Sequence, residues 1–421
     1  MIKGEKIRFD IHNILYSIFK FNKTLNQKSI INVINKNKIE DISFLNNVVL
    51  NSMRLQFHTS KIINLYIKKK LRDQERILLI SSITQIVFLD FKDYAVINCS
   101  VEIAKKLKIY HGLINAVLKN ISKDKKKLKN IKIKFHDLPV WFKNKTSFLK
   151  IKEKKIFLEN FFQEPNLHIV FKNKEKLDMF EGNLIKTSNL SGFLKEKNNI
   201  KEMQSFKNGD WWVQDFSSFL PLHNTKINKN KKYLDACSAP GGKAFQILSK
   251  KIPIELIDKN DIRIKTLKSN LHRLNFKSRI FKEDFTRFNN SKKYDFIILD
   301  APCSAVGTIR KNPEIFFKNK GPDFSYLTRL QERLLKNAAL LLNTNGIILY
   351  MVCSFLVSET EEQVHKFLKR EKTFKLKNFE LIQENNRYFK LVRNNFMNTL
   401  PNKILDYNID GYFAAYLKKT K

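Results

Sequence analysis

The sequence predicts an α/β protein: a doubly wound, mostly parallel Rossmann-like sheet preceded by an all-helical domain and a small mixed α/β subdomain. Three observations support this. From Trp211 onward, short β-rich runs alternate with helical stretches. From Met1 to Asn130 there is no proline and the only glycines are Gly4 and Gly112, so nothing interrupts helices. Between these regions the two periodicities mix. A chain of 421 residues is also too long for one ordinary core. The expected domains are 1–139, 140–210 and 211–421.

In the first domain, Ile42 to Leu71, Glu75 to Leu89 and Tyr94 to Leu107 carry apolar residues at intervals of three and four, the helical spacing. The lysine run from Lys123 to Lys129 and the first proline, Pro139, mark its end. The middle segment reads as a helix around Phe148 to Phe162 and a strand in NLHIVF, Asn166 to Phe171. The last domain offers five strands: KYLDA, PIELID, SRIFKED, YDFIILDAP and GIILYMVCS. In such sheets ligands bind beyond the carboxyl ends of the strands.

Composition narrows the function. Hydrophobic residues, 43% of the chain, suffice for several cores, but no apolar run approaches the roughly 18 to 20 residues of a membrane span. The start, MIKGEKIRFDIHN, lacks the parts of a secretory signal. A soluble cytoplasmic protein is expected, with no membrane partner. The four cysteines, Cys99, Cys237, Cys303 and Cys353, form no C-x-x-C pair. This speaks against a zinc site or a disulfide framework and turns attention to thiol reactivity. The 79 Lys and Arg against 40 Asp and Glu give a charge of +39, suited to a polyanion such as RNA. The joint excess of Lys, Asn, Ile and Phe also fits drift in an AT-rich genome, so the motifs must decide.

The first ligand loop lies in YLDACSAPGGKAFQIL, Tyr233 to Leu248, where small residues up to Gly241 and Gly242 let the backbone approach a ligand before a helix begins. It is neither the dinucleotide fingerprint nor a phosphate loop, and a plain tight turn is the alternative. Asp258, ending PIELID, is placed to accept both hydroxyls of a ribose or to cap the next helix. Asp284, ending SRIFKED, is placed for an adenine amino group. YDFIILDAPCSAVGTIRKNPEI, Tyr294 to Ile315, delivers Asp300, Pro302 and Cys303 to the ligand end, and YMVCS brings Cys353 from the next strand. The two cysteines either face one cleft or are small buried hydrophobes.

These segments resemble the Sun (RsmB) family of bacterial 16S ribosomal RNA cytosine-5 methyltransferases, whose patterns are DxCAAPGGKT, DAPCSGTGxxRRxP and TCS. The resemblance runs from about Trp211 to the closing DGYFAAYLKK, similar to the family's DGFFxAxL. AVINCSVEIAKKLKIYHGLINAVLKNI is similar to a segment of the family's NusB-like domain, VNxAVExAKxxxxxxxxxFVNAVLR. The chain departs from the pattern at Ser238, Ala244, Ala305, Val306 and Val352. Each change is small in volume, and Val352 bears on how the Cys353 loop is hydrogen-bonded.

The resemblance implies methyl transfer from S-adenosylmethionine to a cytosine of small-subunit ribosomal RNA. Cys353 would be the covalent nucleophile, Cys303 would assist product release, Asp300 would bind the N3 and amino edge of the base, and Lys243 would orient Asp300. Cys237, Ser238, Ala239, Pro240, Gly241, Gly242, Lys243, Asp258, Asp284 and Asp300 would line the methyl-donor site, with Arg263 a weaker addition. Arg310 and Lys311 would contact phosphates beside a base flipped out of its stack, or merely be solvated. The helical NusB-like domain would supply RNA affinity. No metal is expected, and the protein is expected to be a monomer. Other readings are a transfer RNA or DNA cytosine methyltransferase, or a non-catalytic RNA-binding assembly or antitermination factor.

Overall fold

The structure is a computed structural model describing residues 3–25, 27–196 and 199–420. It divides into two compact units, one of Met1–Phe162 with Ile309–Pro322, the other of Gln163–Thr308 with Asp323–Lys421.

The first unit contains α1 (Lys3–Phe21), α2 (Lys28–Asn35), α3 (Ile39–Arg54), α4 (Gln56–Tyr66), α5 (Asp73–Ile83), α6 (Asp93–Lys106), α7 (His111–Leu128), α8 (Val140–Lys145) and α9 (Ile151–Phe161). Helix α5 continues into a π-helical turn, Thr84–Phe88. Helical spacing explains the core: Ile7, Ile11, Ile14, Leu15 and Ile18 form one buried stripe of α1. At the start of α5 the Glu75 carboxylate accepts from the Arg72 amide at 2.9 Å, satisfying an otherwise orphaned donor.

The expected 140–210 subdomain is divided between the two units, a correction with an aromatic cause. Phe142 of α8 and Phe161 of α9 meet Phe316 of the returning segment at ring-centroid distances of 4.8 and 5.0 Å. This apolar surface holds α8 and α9 in the helical unit.

The second unit opens with β1 (His168–Phe171), α10 (Lys174–Asp178), β2 (Leu184–Ser188), β3 (Ser191–Leu194), α11 (Gln204–Lys207) and β4 (Trp211–Val213). These strands form an antiparallel sheet in the order β2-β3-β1-β4. Trp211, expected to begin the last domain, instead pairs with Phe171 across β1 and β4.

After α12 (Phe216–His223) come β5 (Tyr233–Ala236), α13 (Gly242–Leu248), β6 (Ile254–Asp258), α14 (Asp261–Arg273), β7 (Ile280–Lys282) and β8 (Tyr294–Asp300). A short helix α15 (Glu314–Phe317) lies in the segment that returns to the first unit. Then follow α16 (Phe324–Leu341), β9 (Leu342–Val352), α17 (Glu361–Arg370), β10 (Phe374–Lys377), β11 (Val392–Arg393), β12 (Phe396–Thr399), β13 (Asn402–Ile404), β14 (Tyr407–Ile409) and β15 (Tyr412–Lys419). The main sheet has the order β11-β12-β15-β9-β8-β5-β6-β7, with β10 also on β15, while β13 and β14 pair alone.

Strands β9, β8, β5, β6 and β7 are parallel, confirming the predicted doubly wound core, and β15 runs antiparallel on β9. Side chains alternate between the faces, as strand geometry requires. Phe296 and Ile298 join the core beneath α12 to α14, and Ile297 and Leu299 that beneath α16 and α17. The chain leaves β5 for β6 and later returns on its other side as β8, so the crevice between β5 and β8 is the topological switch point.

Candidate active site

Beyond β5 the backbone turns sharply through Cys237, at φ 64°, and Gly241, at φ 112°. A Cβ on Gly241 would stand 2.1 Å from the Phe245 ring, so this glycine is required by the chain's own packing. The nearest atom to a Cβ on Gly242 is 3.4 Å away, so the protein would tolerate one there. The loop is fastened to the end of β6. The Ser238 amide donates to the Ile257 carbonyl at 2.9 Å, and the Ala239 amide to Asp258 Oδ2 at 3.2 Å. The Asn260 amide donates to Asp258 Oδ1 at 2.9 Å, Asn270 Nδ2 to the Pro240 carbonyl at 3.2 Å, and the Arg263 guanidinium to the Ala239 carbonyl.

Cys237, Asp258, Arg263, Asp284, Phe285, Pro302 and Leu330 line a cavity of about 150 Å³ at the ends of these strands. Asp284 accepts from the Thr286 amide and hydroxyl at 3.0 and 2.9 Å and from Lys259 at 3.1 Å. Burial alone would raise its carboxyl, but these donors hold it below its ordinary value. The Cys237 thiol is pushed up to about 12, by burial first and then by the Asp258 and Asp300 carboxylates. It is a wall of the cavity rather than a nucleophile.

At the end of β8, Asp300 is held on both oxygens. Lys243 Nζ donates to Oδ2 at 2.6 Å, and the Tyr412 hydroxyl donates to Oδ1 at 2.7 Å. Burial, then the Asp300 charge, drives the Tyr412 hydroxyl well above its ordinary value, so it remains a donor. Beneath them Asp235 is 1% exposed and its carboxyl is pushed up to about 8 by burial, despite the nearby Lys243.

Parallel pairing of Asp300 with Met351 sets the next two loops level, and Cys303 Sγ lies 3.3 Å from Cys353 Sγ. The Cys303 thiol is raised well above its usual value by its hydrogen bond to Cys353, then by burial. The Gly307 amide donates to the Cys353 carbonyl at 3.1 Å. The residues that follow the cysteines, Ser304 and Ser354, both hydrogen-bond to the buried Glu359. Val352 is wholly buried in the apolar core, so this loop is fixed without a hydroxyl there.

The structure thus gathers at one end of the sheet every residue that the sequence reading assigned to donor binding or catalysis. Arg310 requires a correction. It is 2% exposed and lies in the helical unit, where its carbonyl accepts from Arg54 at 3.1 Å, so its side chain is not displayed to phosphates. Lys311 is half-buried. Tyr412 and Glu359 had been given no role, although DGYF was a visible motif. Among the described residues no group of three His, Cys, Asp or Glu is placed to hold a metal, and no helix is long and apolar enough to cross a membrane.

Residues 223–418 match the family described as 16S rRNA methyltransferase RsmB/F, and residues 6–123 match the NusB family. The RsmB/F match thus takes in just under half of the chain, the part that carries the main sheet and the cysteine pair. It is 28% identical to the ribosomal RNA small subunit methyltransferase B of Shewanella oneidensis over 333 residues, covering 73% of this chain and 77% of that protein. The corresponding protein of Pasteurella multocida is 27% identical over 80% of this chain and 82% of its own length. The crystal structure of PH0851 shares the fold, with a TM-score of 0.71 at 19% identity over 100% of this chain and 99% of that one. This protein is an S-adenosylmethionine-dependent methyltransferase, as the resemblance implied.

Proposed function

We propose that this protein transfers a methyl group to carbon 5 of a specific cytosine in 16S ribosomal RNA through a covalent adduct with Cys353. The observation that carries this reading is the cysteine pair, 3.3 Å apart, at the same sheet end as an Asp300 carboxylate clamped by Lys243 and Tyr412. Chemistry supports it. Carbon 5 of cytosine is a poor nucleophile until a thiolate adds at carbon 6 and makes it enamine-like.

The cavity beside the first loop fits the methyl donor. Asp258 is placed for ribose hydroxyls and Asp284 for the adenine amino group, while Phe285, Pro302 and Leu330 supply apolar walls. S-adenosylmethionine bound there supplies an electrophilic methyl on a sulfonium. The residues of the chain do the rest. Cys353 Sγ, as the thiolate, bonds to carbon 6, and Asp300 takes the N3 and amino edge of the base while Lys243 Nζ, 2.6 Å from Asp300 Oδ2, offsets the negative charge that builds there. After carbon 5 has gained the methyl, its proton passes to solvent water, the C5–H electron pair re-forms the C5–C6 double bond, and the bond from carbon 6 to sulfur breaks. The Cys303 thiol, 3.3 Å from Cys353 Sγ, then protonates the departing sulfur. A base in duplex cannot reach such a pocket, so the target cytosine is unstacked, and the NusB-like unit supplies RNA affinity.

Labelled S-adenosylmethionine and unmodified small-subunit ribosomal RNA test this reading. Wild type transfers label, Cys353→Ser does not, and Cys303→Ser accumulates a covalent RNA adduct. Full activity in Cys353→Ser would remove the nucleophile. Transfer to transfer RNA alone would move the substrate.

A further inference from the structure

Glu359 is fully buried, and a carboxylate in that position carries a large desolvation cost unless its oxygens are matched by donors. Here they are. Oε1 accepts from the Ser304 amide at 2.8 Å and from Gln331 Nε2 at 3.2 Å. Oε2 accepts from the Ser354 hydroxyl at 2.7 Å and from the Ser304 hydroxyl. Gln331 also donates to the Pro302 carbonyl at 3.0 Å, and the Tyr350 hydroxyl donates to the Glu359 carbonyl at 2.8 Å. One side chain therefore grips the residue after each cysteine and is itself anchored from α16 and β9.

We propose that Glu359 is a positioning residue for the cysteine pair, locking the Cys303 and Cys353 loops together so that the two sulfurs lie within reach of one base. The proposal rests on the reaction proposed above. Both cysteines are free thiols. The loops touch directly, Cys303 to Cys353 at 3.3 Å and Ser304 to Ser354 at 3.4 Å, and Glu359 is the further side chain that hydrogen-bonds to both. Its charge also opposes ionisation of Cys303, which keeps the proton on the sulfur that must later give it up. Replacing Glu359 by Gln removes the charge and puts an amide NH2 against the Ser304 and Ser354 hydroxyls, which must turn from donating to accepting, so the charge-assisted bonds of the clamp give way to weaker neutral ones.

Two readouts on the full-length protein test the clamp. Dibromobimane fluoresces when it bridges two neighbouring thiols. It is expected to bridge Cys303 and Cys353 rapidly in wild type, not in Cys303→Ser, and about 10- to 100-fold more slowly in Glu359→Gln, because small displacements of reacting groups cost rates of that order. In the same variant kcat for methyl transfer should fall by a similar factor while KM for S-adenosylmethionine stays unchanged. The pH midpoint for alkylation of Cys303 should move down. A merely structural role would instead lower thermal stability and donor binding together. Should Glu359→Gln not fold, Ser304→Ala and Ser354→Ala each remove one strand of the clamp and should slow bridging and kcat several-fold. Wild-type bridging and kcat in the variants that fold would overturn the proposal. The bridging assay is independent of catalysis, so an active Cys353→Ser would sink the nucleophile assignment while leaving the clamp's outcome readable.

Discussion

Asp235 shows how the site affects stability at a single residue. Its carboxyl stands at about 8 in the folded chain against an ordinary 3.8. Between those values the folded protein holds a proton that the unfolded chain has released. Its stabilising contribution is complete below the lower value, drains away as pH rises, and is gone above the higher. Asp235→Asn should therefore gain stability relative to wild type, and gain more at about pH 8.5 than at about pH 5, as read by denaturant unfolding. Tyr412 stands where the family ending DGFFxAxL has Phe, so Tyr412→Phe should keep the fold. It loses one donor to Asp300, and kcat should fall about 3- to 10-fold, roughly 1 kcal/mol. An unchanged kcat would show that Lys243 alone suffices. The acids, glycines and cysteines at strand ends were legible because short motifs carry them. Asp235 was not singled out, because its burial arises from non-local packing. Glu359 sits in SFLVSETEE, where nothing local separates one buried carboxylate from its exposed neighbours.

At the scale of elements, the turn after Cys303 crosses the start of β15 with no space between backbones. The Gly411 amide donates to the Gly307 carbonyl at 2.8 Å, and a Cβ on Gly307 would lie 1.8 Å from the Gly411 carbonyl oxygen. Gly307→Ala must push β15 away and draw on the amide that holds the Cys353 carbonyl. A loss of about 2 kcal/mol or more is expected, with activity falling further than stability alone explains. Thermal unfolding and kcat measured together check this. The five parallel strands were readable from short β-rich runs ending in turn or motif residues, and the helices from three-and-four spacing. The boundary at Trp211 was not, because β4 is defined by pairing with β1 some forty residues earlier in the chain. The aromatic cluster that binds α8 and α9 to the helical unit was equally hidden. It depends on Phe316, far away in sequence.

For the whole molecule, the helical unit has an acid limit. Burial lowers His12 and His58 from 6.5 to about 4. The unfolded chain binds their protons first, so stability present above the higher value is lost as pH falls through the lower, by up to about 3 kcal/mol for His12. His12→Phe should flatten that slope in unfolding measured from about pH 7 to about pH 4. The returning segment is equally integral to this unit. Phe317 is 1% exposed in its core, and Phe317→Ala should cost about 3 to 5 kcal/mol. The helical front and the parallel sheet were legible in composition and motif, but the division of the expected middle subdomain, and the piece that the second sequence block lends to the first, were not.

That loan bears on how the protein is made. The helical unit leaves the ribosome first, yet Phe316 and Phe317 follow roughly 150 residues behind Phe162. At synthesis rates of about 5 to 20 residues per second, the nascent unit waits about eight to thirty seconds with its aromatic seat open. Strands β5 to β8 emerge in the interval. The amino-terminal unit is begun first but cannot be finished until most of the parallel sheet has been translated.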